Sequence, residues 1–192
     1  MKDRLIRLIY DRAFKYSEEP VFKLVSGRMS NYYFNCKMVT LNPEGMYLVG
    51  NIIFDMIKDL GVKGIGGLTL GADPIADAVA YTSYLKENPI EAFVVRKSAK
   101  SHGTMQWIEG DVKAGDRVVI VDDVITTGKS TIEAITRARE AGLNIVKVIA
   151  LVDRQEGGYE NIAEVMEDIN VDYKLIESVV TRDDVMKLYK SK

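Results

Sequence analysis

The segment with the clearest chemistry joins two carboxylates to a short loop of hydroxyl groups and glycine. Asp122 and Asp123 follow the apolar run 117–121, and residues 126–130, Thr-Thr-Gly-Lys-Ser, open the next helix. Neighbouring carboxylates can accept hydrogen bonds from both hydroxyls of a ribose, and backbone N–H groups at a helix start can donate to a phosphate. The segment is therefore a candidate site for a phosphorylated sugar, although an acidic pair can also simply begin a turn.

A nucleotide-binding P-loop is a second interpretation, because Gly128-Lys129-Ser130 looks like the end of that motif. The P-loop also needs a glycine five positions before Gly128, where this chain has Asp123. A carboxylate at that point would repel a triphosphate, so we reject the P-loop interpretation.

Positive charge is concentrated in segment 96–104, directly after an apolar run. It contains Arg96, Lys97, Lys100 and the only histidine, His102. Such a cluster is often just a solvated loop. Next to a phosphate site, however, it indicates contact with a second anion such as pyrophosphate.

Two further stretches contain groups suited to such ligands. Segment 66–74 has three glycines within six residues, so its amides can approach an anion closely, unless it is only a tight turn. Tyr33 and Phe34 offer aromatic faces to a flat ring, or else belong to an ordinary core.

Arg154 follows another apolar run and carries a guanidinium whose geometry matches a carboxylate. It is a candidate for holding an anionic ligand. The alternative is a structural ion pair with Asp153 or Glu156.

These groups must be positioned by alternating strands and helices, which imply right-handed crossovers and a parallel sheet with ligands beyond the carboxyl ends of its strands. After an N-terminal helix and extended pieces at 21–25 and 32–35, the predicted strands are 64–68, 90–96, 117–121, 145–152 and 172–178. The predicted helices are 42–61, about 74–85, 129–141, 159–167 and 182–190, with loop-like composition over 97–109.

The composition restricts the class of protein. The 192 residues suggest one domain, and the net charge of −2 does not suggest nucleic acid as a partner. Single cysteine and histidine residues, Cys36 and His102, exclude an intrachain disulfide and multi-cysteine or multi-histidine metal sites. Without a membrane-length apolar run, and with an amphipathic rather than signal-like start at 1–9, we expect no membrane partner and a cytoplasmic location.

These motifs resemble those of type I phosphoribosyltransferases, and specifically of the orotate phosphoribosyltransferase family. Residues 118–130 are similar to the family signature for phosphoribosyl pyrophosphate (PRPP), and Arg-Lys-x-x-Lys-x-His-Gly at 96–103 is similar to the catalytic loop. Segments 26–35, 66–74 and 151–158 extend the resemblance to roughly residues 20 to 158.

The resemblance implies a type I phosphoribosyltransferase fold, which is an α/β fold with a central, mostly parallel sheet flanked by helices and a small N-terminal hood. We expect the helix and hood at 1–40, the core at 41–192, and a non-proline cis peptide near Leu68-Thr69.

It also implies the reaction. The phosphoribosyl group of PRPP passes to N1 of orotate, giving orotidine 5′-phosphate and pyrophosphate in pyrimidine biosynthesis, with Mg²⁺ carried mainly by PRPP. The implied catalytic residues are Lys100, His102, Asp122 and Asp123, with no assignment of a general acid between the first two. The implied PRPP-binding residues are Thr69, Leu70, Arg96, Lys97, Lys100, His102, Asp122, Asp123, Val124, Ile125, Thr126, Thr127, Gly128, Lys129 and Ser130. The implied orotate-binding residues are Tyr33, Phe34, Thr126 and Arg154.

Family members form homodimers, so the resemblance implies that loop 97–109 reaches the neighbouring subunit's site. Arg96, Lys100 and His102 would then serve the partner, whereas Lys97 would serve its own subunit.

Two departures and two rivals qualify this interpretation. Val25 and Leu70 stand where some family members have lysines that donate to PRPP. The rivals are a phosphoribosyltransferase for a purine base and a PRPP-binding transcription regulator on the same fold. The regulator would need a DNA-binding element, and only about twenty residues precede the hood.

Overall fold

The protein is described by a computed structural model covering residues 1–24, 27, 29–98, 107–168 and 175–191. Its elements, in chain order, are α1 (Lys2–Arg12), β1 (Phe14–Tyr16), β2 (Phe22–Lys23), β3 (Met29–Ser30), β4 (Tyr32–Phe34), α2 (Lys37–Thr40), α3 (Pro43–Ile57), β5 (Gly64–Leu68), α4 (Asp73–Leu85), β6 (Glu91–Val95), β7 (Ile108–Glu109), β8 (Arg117–Ile125), α5 (Lys129–Glu140), β9 (Asn144–Asp153), α6 (Gly158–Asp168), β10 (Ile176–Thr181) and α7 (Arg182–Lys190).

The central sheet has the strand order β10-β9-β8-β5-β6-β7 in the described part of the chain. All neighbouring pairs are parallel except β6 and β7. The mostly parallel α/β fold predicted from the sequence is therefore confirmed. The antiparallel edge strand β7 was not predicted, because it is two residues long and lies in polar sequence.

Both faces of this sheet are covered, which explains the almost unbroken apolar composition of its inner strands. Val119 and Val121 belong to a core cluster with residues of α1, α3 and α4. Val118 and Ile120, which point to the other face, belong to a cluster with residues of α5 and α6. The alternation holds β8 firmly between two layers of helices.

The hood consists of two short antiparallel pairs, β1 with β4 and β2 with β3. Phe14 belongs to β1, and its ring centroid is 5.0 Å from that of Phe34 and 6.4 Å from that of Tyr32, both in β4. Leu5 and Ile9 of α1 continue this apolar contact into the main core. Aromatic packing therefore joins β1 to β4, and Phe34, which belongs to the same core cluster as Leu5 and Ile9, connects the hood to the core.

Two predicted strand bounds need correction. β8 continues to Ile125 instead of ending at residue 121, because its pairing with β9 extends to Ile125 and Asp153. The last strand continues to Thr181, beyond the predicted residue 178, whereas the start predicted at 172 lies outside the described ranges. The non-proline cis peptide expected near Leu68-Thr69 is confirmed, and it joins Thr69 to Leu70.

None of the helices in the described ranges is both long enough and apolar enough to cross a membrane.

Candidate active site

Three depressions lie where β5, β6, β8 and β9 end. We call them the aromatic pocket, about 250 Å³, the helix-start pocket, about 340 Å³, and the basic pocket, about 370 Å³. The first two share Val124, Thr126 and Thr127. This is the edge of the sheet at which ligands of such folds bind.

The aromatic pocket brings together all four residues expected to hold a flat base. Its lining consists of Lys23, Leu24, Tyr33, Phe34, Asn35, Cys36, Lys37, Asp123, Val124, Thr126, Thr127 and Arg154. Hood and core therefore close on the pocket from opposite sides.

The two aromatic residues of this pocket differ in their surroundings. Tyr33 is 40% exposed, and its ring stacks on Phe22 at a centroid distance of 5.7 Å. Phe34 is only 8% exposed and belongs to the core cluster while it also lines the pocket. Both sequence interpretations thus apply to Phe34, whereas Tyr33 has a face free enough to meet a ligand.

Arg154 is 4% exposed and connects the hood to the end of β9. Its Nη2 donates to the Ser30 hydroxyl at 3.1 Å, to the Tyr32 carbonyl at 2.9 Å and to Oε1 of Glu156 at 2.9 Å. Its Nε, by contrast, has no hydrogen-bond partner among the described residues. The structural ion pair considered above is therefore present, with Glu156 as the partner, and Arg154 is also one of the residues that line the pocket.

The two carboxylates of the acidic pair face different pockets. Asp122 is 6% exposed, accepts from the Thr131 hydroxyl at 2.7 Å and from the Asp123 amide at 2.9 Å, and lines the helix-start pocket. Asp123 lines the aromatic pocket and accepts from Nζ of Lys37 at 3.1 Å. Burial, reinforced by the charge of Asp123, raises the pKa of Asp122 to about 7.

This pKa shift predicts that the ligand-free protein loses stability as the pH rises from about 4 to about 7. The folded protein holds the Asp122 proton more tightly than the unfolded chain, whose carboxyl has a pKa of about 3.9, so unfolding releases a proton in this window. Asp122→Asn keeps the shape of the side chain without the buried charge, and its amide can still accept from the Asp123 N–H and donate to the Thr131 hydroxyl. At pH 8 we expect it to raise the free energy of unfolding by on the order of a few kcal/mol.

Urea denaturation at pH 5 and pH 8 measures this effect. Asp55→Asn is the control, because the Asp55 side chain is 63% exposed on α3. We expect Asp122→Asn to have a higher free energy of unfolding than the wild type at pH 8, and a smaller difference at pH 5. The control should equal the wild type at both pH values. Equal stability of Asp122→Asn and the wild type at pH 8 would contradict the raised pKa.

The helix-start pocket is built for an anion. It is lined by Asp122, Val124, Thr126, Thr127, Gly128, Lys129 and Ser130. Gly128 precedes α5 with φ 77°, and no side chain among the described residues caps this helix end. A Cβ at Gly128 would lie 2.8 Å from the Gly158 carbonyl oxygen, so glycine is required here. The N–H groups of the first turn can therefore serve a phosphate.

The basic pocket is lined by Thr69, Val94, Arg96, Lys97, Ser98 and Glu109. Arg96 donates to Glu109 at 3.0 Å and to the Ser98 carbonyl at 3.1 Å. Its guanidinium group therefore binds groups in neighbouring parts of its own chain. Lys100 and His102 lie outside the described residues. Just after that segment, the Trp107 ring lies 3.6 Å from the guanidinium carbon of Arg137 on α5.

Comparison with known proteins identifies the family. Residues 65–183 match the model of the phosphoribosyl transferase domain. Orotate phosphoribosyltransferase of Aquifex aeolicus is 49% identical over 161 residues, which cover 84% of this chain and 88% of that relative. The chain belongs to the orotate phosphoribosyltransferase family.

Solved structures of the orotate phosphoribosyltransferase family agree with this assignment. One from Mycobacterium tuberculosis has a TM-score of 0.79 at 34% identity and covers 96% of this chain and 98% of its own. Another, of the same organism's enzyme in complex with PRPP, has a TM-score of 0.73 at 29% identity, with 96% and 90% covered.

The departures from other members of the orotate phosphoribosyltransferase family concern positive charge. Leu70 is 61% exposed and offers no charge where some members have a lysine, and the second such position, Val25, lies outside the described residues. Lys37 reaches the aromatic pocket instead. Sequence reasoning missed Lys37, although its position two residues after segment 26–35, which carries part of the family resemblance, was a usable signal.

Proposed function

We propose that the protein is an orotate phosphoribosyltransferase that joins orotate N1 to the ribose of PRPP and releases pyrophosphate. The observation that carries this proposal is the arrangement at the sheet edge. A pocket with Tyr33, Thr126 and Arg154, suited to a flat anionic base, shares a wall with an acidic pair and an open helix start, which are suited to a ribose phosphate.

The pockets suggest how the reaction proceeds. The helix-start pocket would hold the 5-phosphate, and the carboxylates would accept hydrogen bonds from the ribose hydroxyls. As the bond from C1 to pyrophosphate oxygen breaks and its electron pair leaves with pyrophosphate, N1 of orotate bonds to C1 and gives up its proton to the departing pyrophosphate or to solvent. Arg154 would orient orotate, while Lys100 and the basic pocket would stabilise the leaving charge. This scheme requires no covalent enzyme intermediate.

Magnesium is proposed to enter with PRPP and to neutralise part of its pyrophosphate charge. No group of three potential ligands among Asp, Glu, His and Cys occurs in the described ranges. Asp123 is the carboxylate that faces the aromatic pocket, and it already pairs with Lys37. We propose that the metal is held mainly by the phosphate groups of PRPP.

We also propose a homodimer in which loop 97–109 completes the neighbouring site, and a cytoplasmic location. An apolar groove of about 480 Å³ between α3 and α4 supports the dimer. Tyr47, Tyr81 and Leu85 line it and are 56%, 69% and 61% exposed. Exposed apolar side chains at this density are typical of a surface that another protein covers.

An absorbance assay of orotate tests the proposed function. We expect orotate to be consumed only when PRPP and a divalent metal are both present. PRPP, bound at the helix-start pocket, supplies the ribose, and the metal neutralises charge on the leaving pyrophosphate. Adenine, guanine, xanthine and uracil, assayed in parallel, are expected to give no product. Consumption of a purine but not of orotate would favour the purine enzyme, and binding of PRPP without any turnover would favour the regulator.

A further inference from the structure

The aromatic pocket contains a cation that the family motifs do not assign. Lys37, at the start of α2, places its Nζ 3.1 Å from Oδ2 of Asp123. The Lys37 side chain is 42% exposed, whereas that of Asp123 is 13% exposed. The ammonium group is therefore accessible from the pocket while it holds the carboxylate.

The charges of the substrates and of the site indicate that Lys37 has a role in substrate binding. PRPP and orotate are both anions, and two lysines that other family members direct to PRPP are Val25 and Leu70 here. Arg154 already pairs with buried Glu156, and Arg96 with Glu109. Lys37 differs from both arginines, because the carboxylate that it contacts is itself a proposed substrate-binding group.

The position of Lys37 relative to the glycine-rich segment 66–74 indicates which part of the substrate Lys37 contacts. A Cβ built on Gly71 would lie 2.6 Å from Oδ1 of Asp123, while Lys37 contacts Oδ2 of the same carboxylate. Asp123 therefore lies between Lys37 and the turn that carries Leu70. A PRPP molecule whose ribose hydroxyls are bound by Asp123 would bring the pyrophosphate on the adjoining C1 into the vicinity of Lys37.

We infer that Lys37 is a substrate-binding residue for the pyrophosphate end of PRPP, and that it compensates for the lysine missing at Leu70. The inference rests on the proposed function. In the free protein Lys37 pairs with Asp123. When PRPP binds, it shares its hydrogen bonds between that carboxylate and a pyrophosphate oxygen.

Titration calorimetry with pyrophosphate, in saturating magnesium, tests this role without involving ribose placement. Lys37→Met should weaken pyrophosphate binding about ten- to hundredfold, the range for losing a charge-assisted hydrogen bond. Lys37→Arg should restore most of it. Lys58→Met is the matched control, because the Lys58 side chain is 43% exposed and pairs with Asp55 on the surface. The pyrophosphate affinity of this variant should equal that of the wild type.

Asp123→Asn separates direct contact from an effect through the carboxylate. It frees Lys37 from its charged partner, so pyrophosphate affinity should stay equal or increase. If Lys37 acted only by orienting Asp123, pyrophosphate affinity would not depend on Lys37 at all. Orotate affinity of Lys37→Met should change by less than about threefold.

Three outcomes would overturn the inference: unchanged pyrophosphate binding in a folded Lys37→Met variant, a loss confined to orotate, or a lowered melting temperature with no change in either ligand. These outcomes are distinct from failure of the proposed function, in which the wild type itself would not consume orotate with PRPP.

Discussion

A mixture of two inactive variants, Lys100→Ala and Asp123→Asn, is expected to recover about a quarter of wild-type activity once subunits exchange. Each change alone should lower turnover by about 10²–10³-fold, because one removes stabilisation of pyrophosphate and the other removes ribose placement. In a mixed dimer, one site contains both defects and the other contains neither. Random pairing makes half of the dimers mixed, so one site in four is intact.

The control is a second pair of variants whose defects both act in a subunit's own site. Asp123 and Arg154 line the same aromatic pocket, so Asp123→Asn mixed with Arg154→Met should show no recovery. Subunit exchange can be verified with tagged chains. Full exchange without recovery in the first pair would mean that Lys100 serves its own subunit.

Replacement of Arg154 is expected to have two separable effects. Arg154→Met removes a charge-assisted hydrogen bond to Glu156, whose side chain is only 9% exposed, and should destabilise the fold by about 1.5–3 kcal/mol. It should also weaken the binding of orotate by about 1.5–3 kcal/mol, roughly ten- to hundredfold, because a charge-assisted hydrogen bond to the ligand is lost. PRPP binding should change little, because the proposed phosphate contacts lie in the helix-start pocket.

The double variant Arg154→Met/Glu156→Gln distinguishes the two effects. It removes both charges, and the introduced glutamine can still accept a hydrogen bond from the Ser30 hydroxyl, which donates to Glu156 at 3.3 Å in the wild type. Most of the decrease in melting temperature caused by Arg154→Met should be reversed, while orotate affinity measured by calorimetry should remain low. Restoration of both would show that Arg154 serves only to anchor the hood.

Local patterns in the sequence were sufficient to predict much of the fold. The strand 64–68 and the helix 182–190 have the predicted bounds, the latter because Thr181 and Asp184 form a reciprocal cap within four residues. The extension of β8 to Ile125 was not predictable in this way. It depends on hydrogen bonds to β9, whose last residue, Asp153, is distant in the chain.

The site shows the same division between local and distant information. Motifs predicted the residues that line the helix-start pocket, and Tyr33, Phe34, Thr126 and Arg154 of the aromatic pocket, because each motif is a continuous segment. They did not reveal that Lys37 pairs with Asp123, 86 residues away, or that Arg154 holds Ser30, 124 residues away. Charge pairing across the fold decides which cations are available to a substrate, and it becomes visible only when the segments are brought together.

Trp107 gives the protein a built-in optical reporter. It is the only tryptophan among 192 residues, and its ring rests against Arg137 directly after the segment that contains Lys100 and His102. Excitation at the red edge of the indole band therefore yields emission from one known position, without interference from the ten tyrosines. Stopped-flow fluorescence of the unlabelled protein can then time events at this end of the segment and compare them with the rate of turnover.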